Sequence, residues 1–401
     1  MEKFFKLKEH GTDVRTEIIA GATTFLSMVY ILAVNPGMLA AAGLDSAAVF
    51  TATAVSAAIA TLFMAFFANY PVALASGMGL NAYFAYSVCI PLAEQGVTDP
   101  YKIALAAVLV EGIVFVLLSL CNFREKLVND VPANLKYGIT AGIGLFITFI
   151  GLKGAGIVIP DASTLVNLGS FSSPQFILAV VGLIIVAALY HFNVKGYILI
   201  GILATWILGM GAEAVGWYQV DPEAGIYSLF PNFDGASFIP AAPTMFAFDF
   251  EWIGAHIIDF AVIVFSFLYV DLFDTVGTLI GVASKGNLLD ENGNLPKVKG
   301  ALMADACGTI LGACMGTSTV TSYVESSAGV ANGGRTGSVH RRSVLLPDLP
   351  GYSVLCNHTC TGLGRSSDDR RSKEYALRRR YRRCGRRLPG TDYDAVYLFH
   401  R

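Results

Sequence analysis

Residues 316–334 read GTSTVTSYVESSAGVANGG, a stretch in which hydroxyls and glycines outnumber large apolar side chains. It is too short and too polar for a single membrane crossing, which takes roughly 20 mostly apolar residues. It reads instead as a helix broken partway across the bilayer. Irregular backbone at that depth persists only where protein or a water-filled cavity satisfies its N–H and C=O groups. Residues 73–88, ALASGMGLNAYFAYSV, form a second such island. Together they point to a polar pocket inside an apolar bundle, since glycine lets backbone approach closely and unwound N–H groups bind polar ligands at mid-membrane.

The rest of the chain agrees. Of 401 residues, 54% are apolar and 14% charged, against about 25% charged in soluble domains. That leaves too little polar material to cover a water-facing surface, which argues against a soluble enzyme. The expected class is an all-α integral membrane protein. Ten candidate spans precede Gly337, at 18–40, 47–68, 73–90, 103–121, 138–158, 174–191, 196–217, 261–283, 300–315 and 317–333. The third, ninth and tenth are short and rich in small residues, so each is expected to be broken. Met1 to Glu17 is polar, and no signal-peptide cleavage site follows it.

With a cytoplasmic N-terminus and ten spans, twelve of the fourteen Lys and Arg before residue 338 fall inside: Lys3, Lys6, Lys8, Arg15, Arg124, Lys126, Lys136, Lys195, Lys285, Lys297, Lys299 and Arg335. Only Lys102 and Lys153 fall outside. This is the bias of the positive-inside rule, and an error of one span in the middle would send Lys285, Lys297 and Lys299 to the wrong side. Residues 1–17 are then a cytoplasmic segment, 18–217 a seven-span unit, 218–250 an extracytoplasmic loop and 251–337 three further spans.

An acid in a span needs a reason, because it costs on the order of 2.5–3.5 kcal/mol at the bilayer centre. Asp271 and Asp274, in AVIVFSFLYVDLFDTVGTLIG (261–281), lie three apart on one helical face. At about 1.5 Å per residue, Asp274 lies roughly 20 Å into its helix. Glu325 sits in the hydroxyl-rich segment. Either these acids are structural, hydrogen-bonded between helices, or one binds a ligand or proton while a neighbour sets its ionisation. Asn81 offers a donor and an acceptor on one amide, suited to the edge of a heterocycle, and Phe84 is placed to stack on a ring. Ser76 and Tyr83 share their island. Cys89, Cys121, Cys307 and Cys314 are scattered in apolar sequence and read as buried packing residues.

TTFLSMVYILAVNP (23–36), SGMGLNAYFAY (76–86), FDTVGTL (273–279) and GTSTVTSYVESSAGVANGGRTG (316–337) carry a family resemblance. The sequence resembles the AzgA-like purine permeases, the adenine/guanine/hypoxanthine branch of the nucleobase transporters, over essentially all of residues 5–337. The resemblance implies an inverted-repeat fold of seven plus seven spans, about ten of them retained here, divided into core and gate domains with substrate between them. Carried over by position, Asp274 contacts the base, Glu325 holds it and Asn81 lines the site; Phe84, Thr278 and Thr319 are counted with them as candidate substrate-binding residues. Asp271, Asp274 and Glu325 form the proton-coupling group. The implied activity is proton-coupled purine import across the cytoplasmic membrane, with the proton as coupling ion and no other cofactor. The implied protein is multi-pass and cytoplasmic at its N-terminus, and relatives with this fold often pair as homodimers. A purine presents adjacent N–H donors that one carboxylate accepts together, so chemistry and resemblance agree. A uracil carrier on the same fold is the alternative.

Family members continue past Gly337 with four more apolar spans, and this sequence does not. Residues 1–337 carry 14 Lys+Arg against 24 Asp+Glu, a balance of −10, whereas residues 338–401 carry 14 against 6, a balance of +8. The tail is too basic for any span. Reading the codons of Asp392 to His400 from the second base allows T-M-M-P-F-T-Y-S-I, which looks like the family's span thirteen. The expectation is a frameshift near residue 338, with no compact domain in 338–401. The chain would then be a truncated and inactive permease. Cys356, His358 and Cys360 form a C-x-H-x-C without a second ligand pair, so no metal is expected. A nucleic-acid-binding arm is not expected either, because an arm would add to the spans rather than replace them. An intramembrane aspartyl protease would need a second aspartate in G-x-G-D, which the sequence lacks. An inorganic-anion carrier would avoid three acids at its site.

Overall fold

In the computed structural model the described residues are 5–121, 133–161, 163–192, 194, 197–220, 228–230, 240–290 and 295–339. The expectations for Lys3, Arg124, Lys126, Lys195 and the tail from residue 340 onward, including Cys356, His358 and Cys360, lie outside them.

The chain opens with α1 (Val14–Met28) and α2 (Ile31–Ala40), one crossing interrupted at Val29 and Tyr30, then α3 (Ser46–Phe67). Asp13 and Asp45 accept the N–H groups of Thr16 and Ala48 at 2.9 Å, capping α1 and α3. The 73–90 island is not one helix. It is a strand, β1 (Leu74–Ser76), a single helical turn, α4 (Met78–Ala82), a π-helical stretch at Tyr83–Cys89 and α5 (Ile90–Glu94). Next come α6 (Pro100–Leu120), α7 (Ala133–Gly154) and a hairpin of β2 (Val158–Asp161) with β3 (Leu165–Leu168). Two further spans follow, α8 (Pro174–His191) and α9 (Tyr197–Ala214). After a short α10 (Glu251–Ala255) come α11 (Ile257–Lys285), α12 (Val298–Met315), β4 (Val320–Ser322) and α13 (Ser326–Ala331). The protein is thus a mostly helical, multi-pass membrane protein. Six of these helical segments are long and apolar enough to cross a bilayer among the described residues.

The two islands meet. β1 and β4 pair antiparallel, with Leu74 opposite Ser322, Ala75 opposite Thr321 and Ser76 opposite Val320. All six residues are buried. The outer edges of both strands also find partners, as backbone at membrane depth must. Thr61 Oγ1 accepts from Leu74 N at 2.9 Å and donates to Leu74 O at 3.1 Å, Ser326 Oγ accepts from Ala73 N at 3.0 Å, and Thr309 Oγ1 donates to Val320 O at 3.0 Å. Side chains on flanking helices therefore do what a continuous helix would do for itself. Each strand then runs into a short helix, α4 or α13. Gly77 stands at the first junction because β4 leaves no room, a Cβ there falling 2.6 Å from Thr321 Cγ2. Gly77→Ala is expected to cost about 1–3 kcal/mol through overpacking, read as a lower melting temperature in detergent with unchanged expression.

Two expectations are corrected. The ninth span is not broken: α12 is an uninterrupted 18-residue helix that ends at Gly316 with φ +84°. Its small residues serve close packing against α3 and α6. A Cβ on Gly308 would lie 2.9 Å from Ala60 Cβ, and one on Gly112 of α6 would lie 2.7 Å from Ile310 Cγ1. Small residues bring membrane helices together in this way. Of the four cysteines read as buried, Cys89 is buried and Cys307 and Cys314 are half-buried, but Cys121 is exposed at the C-terminal cap of α6.

α8 and α9 pack on each other with few of their side chains buried and large apolar ones exposed, among them Leu183, Ile184, Ile207 and Leu208. Such a surface suits lipid. Leu199 of α9 touches the cluster of Val29, Ile31, Ala75 and Tyr323.

Candidate functional site

The junctions β1–α4 and β4–α13, with α11 beside them, bring several of the sequence-selected residues together. Asp274 is half-buried on α11. Its Oδ2 lies 3.8 Å from the point a Cβ on Gly77 would occupy, so the carboxylate faces the start of α4. Glu325 immediately precedes α13 and is close enough to act electrostatically on Asp274. Its Oε1 accepts the Tyr30 hydroxyl at 2.5 Å.

Asn81 is fully buried in α4. Its Oδ1 accepts from Ser76 Oγ at 2.9 Å and also from Ser318 Oγ, while Nδ2 has no hydrogen-bond partner among the described residues. The same polar web continues outward, from Ser76 Oγ to Thr317 Oγ1 at 3.3 Å and from Thr317 to Asn35 Nδ2 at 2.9 Å. A buried amide nitrogen held by its own oxygen and left without an acceptor is costly.

The remaining selections fall elsewhere. Phe84 belongs to the apolar core, fully buried, with its ring tilted 6.4 Å from that of Phe267, so in this structure it has no exposed face for a base. Thr278 lies one turn beyond Asp274 and is buried. Thr319 is spent on structure: its Oγ1 donates to Glu111 Oε2 at 3.0 Å and its carbonyl accepts from Gly77 N at 3.0 Å. Asp271 and Asp274 share a helix face, yet their partners differ. Thr275 Oγ1 lies 3.2 Å from Asp271 Oδ1, 3.0 Å from Asp305 Oδ2 and 2.9 Å from Thr321 Oγ1, so Asp271 enters a fully buried cluster tied to β4.

Glu111 and Asp305 were not among the acids singled out from the sequence. Both are fully buried in spans and meet the same criterion of a costly intramembrane carboxyl. Tyr30 also escaped notice, because a tyrosine in an apolar run carries no signal of its partner.

A sequence profile described as "Permease family" matches residues 15–342. The chain belongs to that family. It is 47% identical over 333 residues to the guanine/hypoxanthine permease PbuO of Bacillus subtilis (strain 168), covering 83% of this chain and 73% of the relative. It is 41% identical over 337 residues to the adenine permease AdeP of Escherichia coli (strain K12), covering 84% and 71%. Among solved structures it is similar to the transmembrane domain of a cyanobacterial bicarbonate transporter, BicA, with a TM-score of 0.59 and 14% identity, covering 88% of each chain. At that identity the likeness shows the fold alone. Membership places the chain among permeases rather than enzymes, with an all-α transporter fold.

Proposed function

We propose that the protein carries purine nucleobases across the cytoplasmic membrane, binding the base at the junction of β1, β4 and α11 and coupling its movement to protons. The observation that carries this reading is the buried Asn81 amide, whose Nδ2 lacks an acceptor in a strand–helix unit that also sets Gly77 against the Asp274 carboxylate. A purine supplies what these groups lack: adjacent N–H donors for a carboxylate, and a ring nitrogen or carbonyl for an amide N–H. The names of the relatives, guanine/hypoxanthine permease and adenine permease, favour the same substrate class. Protonation of Asp271, Asp274 or Glu325 supplies the coupling, and the excess of Lys and Arg in the expected inner loops supports a cytoplasmic N-terminus.

We also infer that the residues from about 338 onward are read out of frame, close to where the family match ends at residue 342. The charge break at Gly337 and the family-like string recovered from 392–400 support this. A gene with no length error at that codon overturns it.

The test is uptake of radiolabelled adenine, guanine, hypoxanthine and uracil by cells lacking their own carriers, using the chain as it stands and a version with the frame restored after Gly337. Purine uptake that exceeds uracil uptake at least tenfold in the restored chain is the expected result, since a buried polar site left unpaired by the wrong base is costly. Equal uptake of uracil, or none of any base by either chain, overturns the purine reading.

A further inference from the structure

We propose that Tyr30 is a positioning residue for the Glu325 carboxylate, a role that rests on the reading of Glu325 as a base-binding acid. Tyr30 occupies the interruption between α1 and α2, where the chain leaves one helix before starting the next. The residues on either side, Val29 and Ile31, are buried against Ala75 of β1 and against Tyr323, which follows β4. The backbone at Tyr30 is therefore anchored to β1 and to the residue that follows β4. A tyrosine side chain has only two torsions beyond that anchor, so its hydroxyl position is set by the packing of its neighbours.

That hydroxyl donates its one hydrogen to Glu325 Oε1 at 2.5 Å. A glutamate at the start of a short helix has three free torsions of its own, and no Lys or Arg is paired with this one among the described residues. The tyrosine fixes one carboxylate oxygen and thereby presents Oε2 as the acceptor for a ligand N–H. The other titratable groups around Glu325 are differently engaged. Tyr323 donates to the Ser76 carbonyl at 2.5 Å. Tyr197, at the start of α9, is within electrostatic reach of Glu325, and its ring packs 5.3 Å from that of Tyr190. Asp274 is a second acid, on α11, within electrostatic reach. Tyr30 is thus the neighbour that holds the carboxylate by a hydrogen bond.

Tyr30→Phe keeps the ring and removes only the donor. In uptake of labelled hypoxanthine by the frame-restored chain, it is expected to raise KM about tenfold, the size of one hydrogen bond to a charged group. The maximal rate per molecule in the membrane should stay within twofold of the parent. Tyrosine that served packing alone would give an unchanged KM, and that result overturns the assignment. Glu325→Gln, measured alongside, separates the two layers of argument. If Glu325→Gln loses uptake while Tyr30→Phe keeps its KM, only the role of Tyr30 fails. If Glu325→Gln transports with the parent KM, or if no chain takes up base, the reading of Glu325 fails and this proposal with it.

Discussion

Asp274→Asn is expected to lower purine uptake by two to three orders of magnitude while leaving the amount of protein in the membrane unchanged. A carboxylate facing a purine edge accepts two N–H groups at once, and hydrogen bonds to a charged group are worth about 1.5–3 kcal/mol each. The amide keeps one acceptor and turns an NH2 toward a donor, so one bond is lost and a repulsive contact is made. A combined loss of about 3–4 kcal/mol corresponds to a factor of roughly 100–1,000. Asparagine has nearly the same volume, and the Gly77 junction it faces keeps its room, with 3.8 Å between a Cβ there and the side-chain oxygen. Folding is therefore not the expected casualty. Initial uptake rates, normalised to protein in the membrane fraction, decide the matter: a variant retaining more than a third of the parent rate removes Asp274 from the site. Asp271→Asn provides the contrast, because that carboxyl hydrogen-bonds to Thr275 in a fully buried cluster with Asp305 and Thr321. Its loss should show in the melting temperature.

What the sequence made legible is what one-dimensional pattern carries. The run of hydroxyls and glycines at 316–334 announces a break because such residues neither sustain an apolar helix nor forbid extended backbone, and β4 and α13 lie within it. The two aspartates of α11 are visible as charges where none is cheap. The partner of each broken segment is not visible. β1 and β4 meet across more than 240 residues of chain through three pairs, from Leu74 with Ser322 to Ser76 with Val320, and neither strand is long enough to show alternation. The same limit explains α12. Glycine breaks a helix in one setting and lets two helices touch in another, and only Ala60 beside Gly308 tells which. Phe84 fails for a related reason, since an aromatic beside a polar island points into the pocket or away from it according to helix phase, and the π-helical turn at Tyr83–Cys89 shifts that phase. Glu111 was legible as an acid, but its role is not, for Thr319 reaches it from 208 residues away.

Glu17→Ala is the substitution expected to damage the fold most. Glu17 lies in the first turn of α1 and is only 1% exposed, an unusual place for a carboxylate. Both oxygens are used: Oε1 accepts from Arg335 N at 2.9 Å, while Oε2 accepts from Thr336 Oγ1 at 3.0 Å and Ser338 Oγ at 3.1 Å. These donors belong to the strap that follows α13 and lies across α1 and α3. Asn69 Oδ1 accepts from Gly337 N at 2.9 Å on its other side, and Arg335 Nη1 donates to the carbonyls of Val330 and Gly334 at 2.7 Å, closing the end of α13. The fit is close enough to demand glycine, since a Cβ on Gly21 would fall 2.1 Å from the Val339 carbonyl oxygen and one on Gly337 would fall 2.5 Å from Ala65 Cα. Removing the carboxylate leaves Arg335 N and one hydroxyl without an acceptor, since the Thr336 and Ser338 hydroxyls lie 2.8 Å apart and one can donate to the other, at about 1–3 kcal/mol for each that water does not reach. A total of roughly 3–5 kcal/mol is a large part of the stability of most domains. Because the strap fastens α13, and Glu325 sits at the head of α13, its release would loosen the site from behind. Melting followed by size-exclusion in detergent should therefore show a large drop for Glu17→Ala and a smaller one for Glu17→Gln, which keeps one acceptor oxygen. Gly21→Ala should lower the melting temperature with Glu17 intact, by lifting Val339 off α1. If Glu17→Ala melts with the parent, the strap is not what fastens α13 to the first helix.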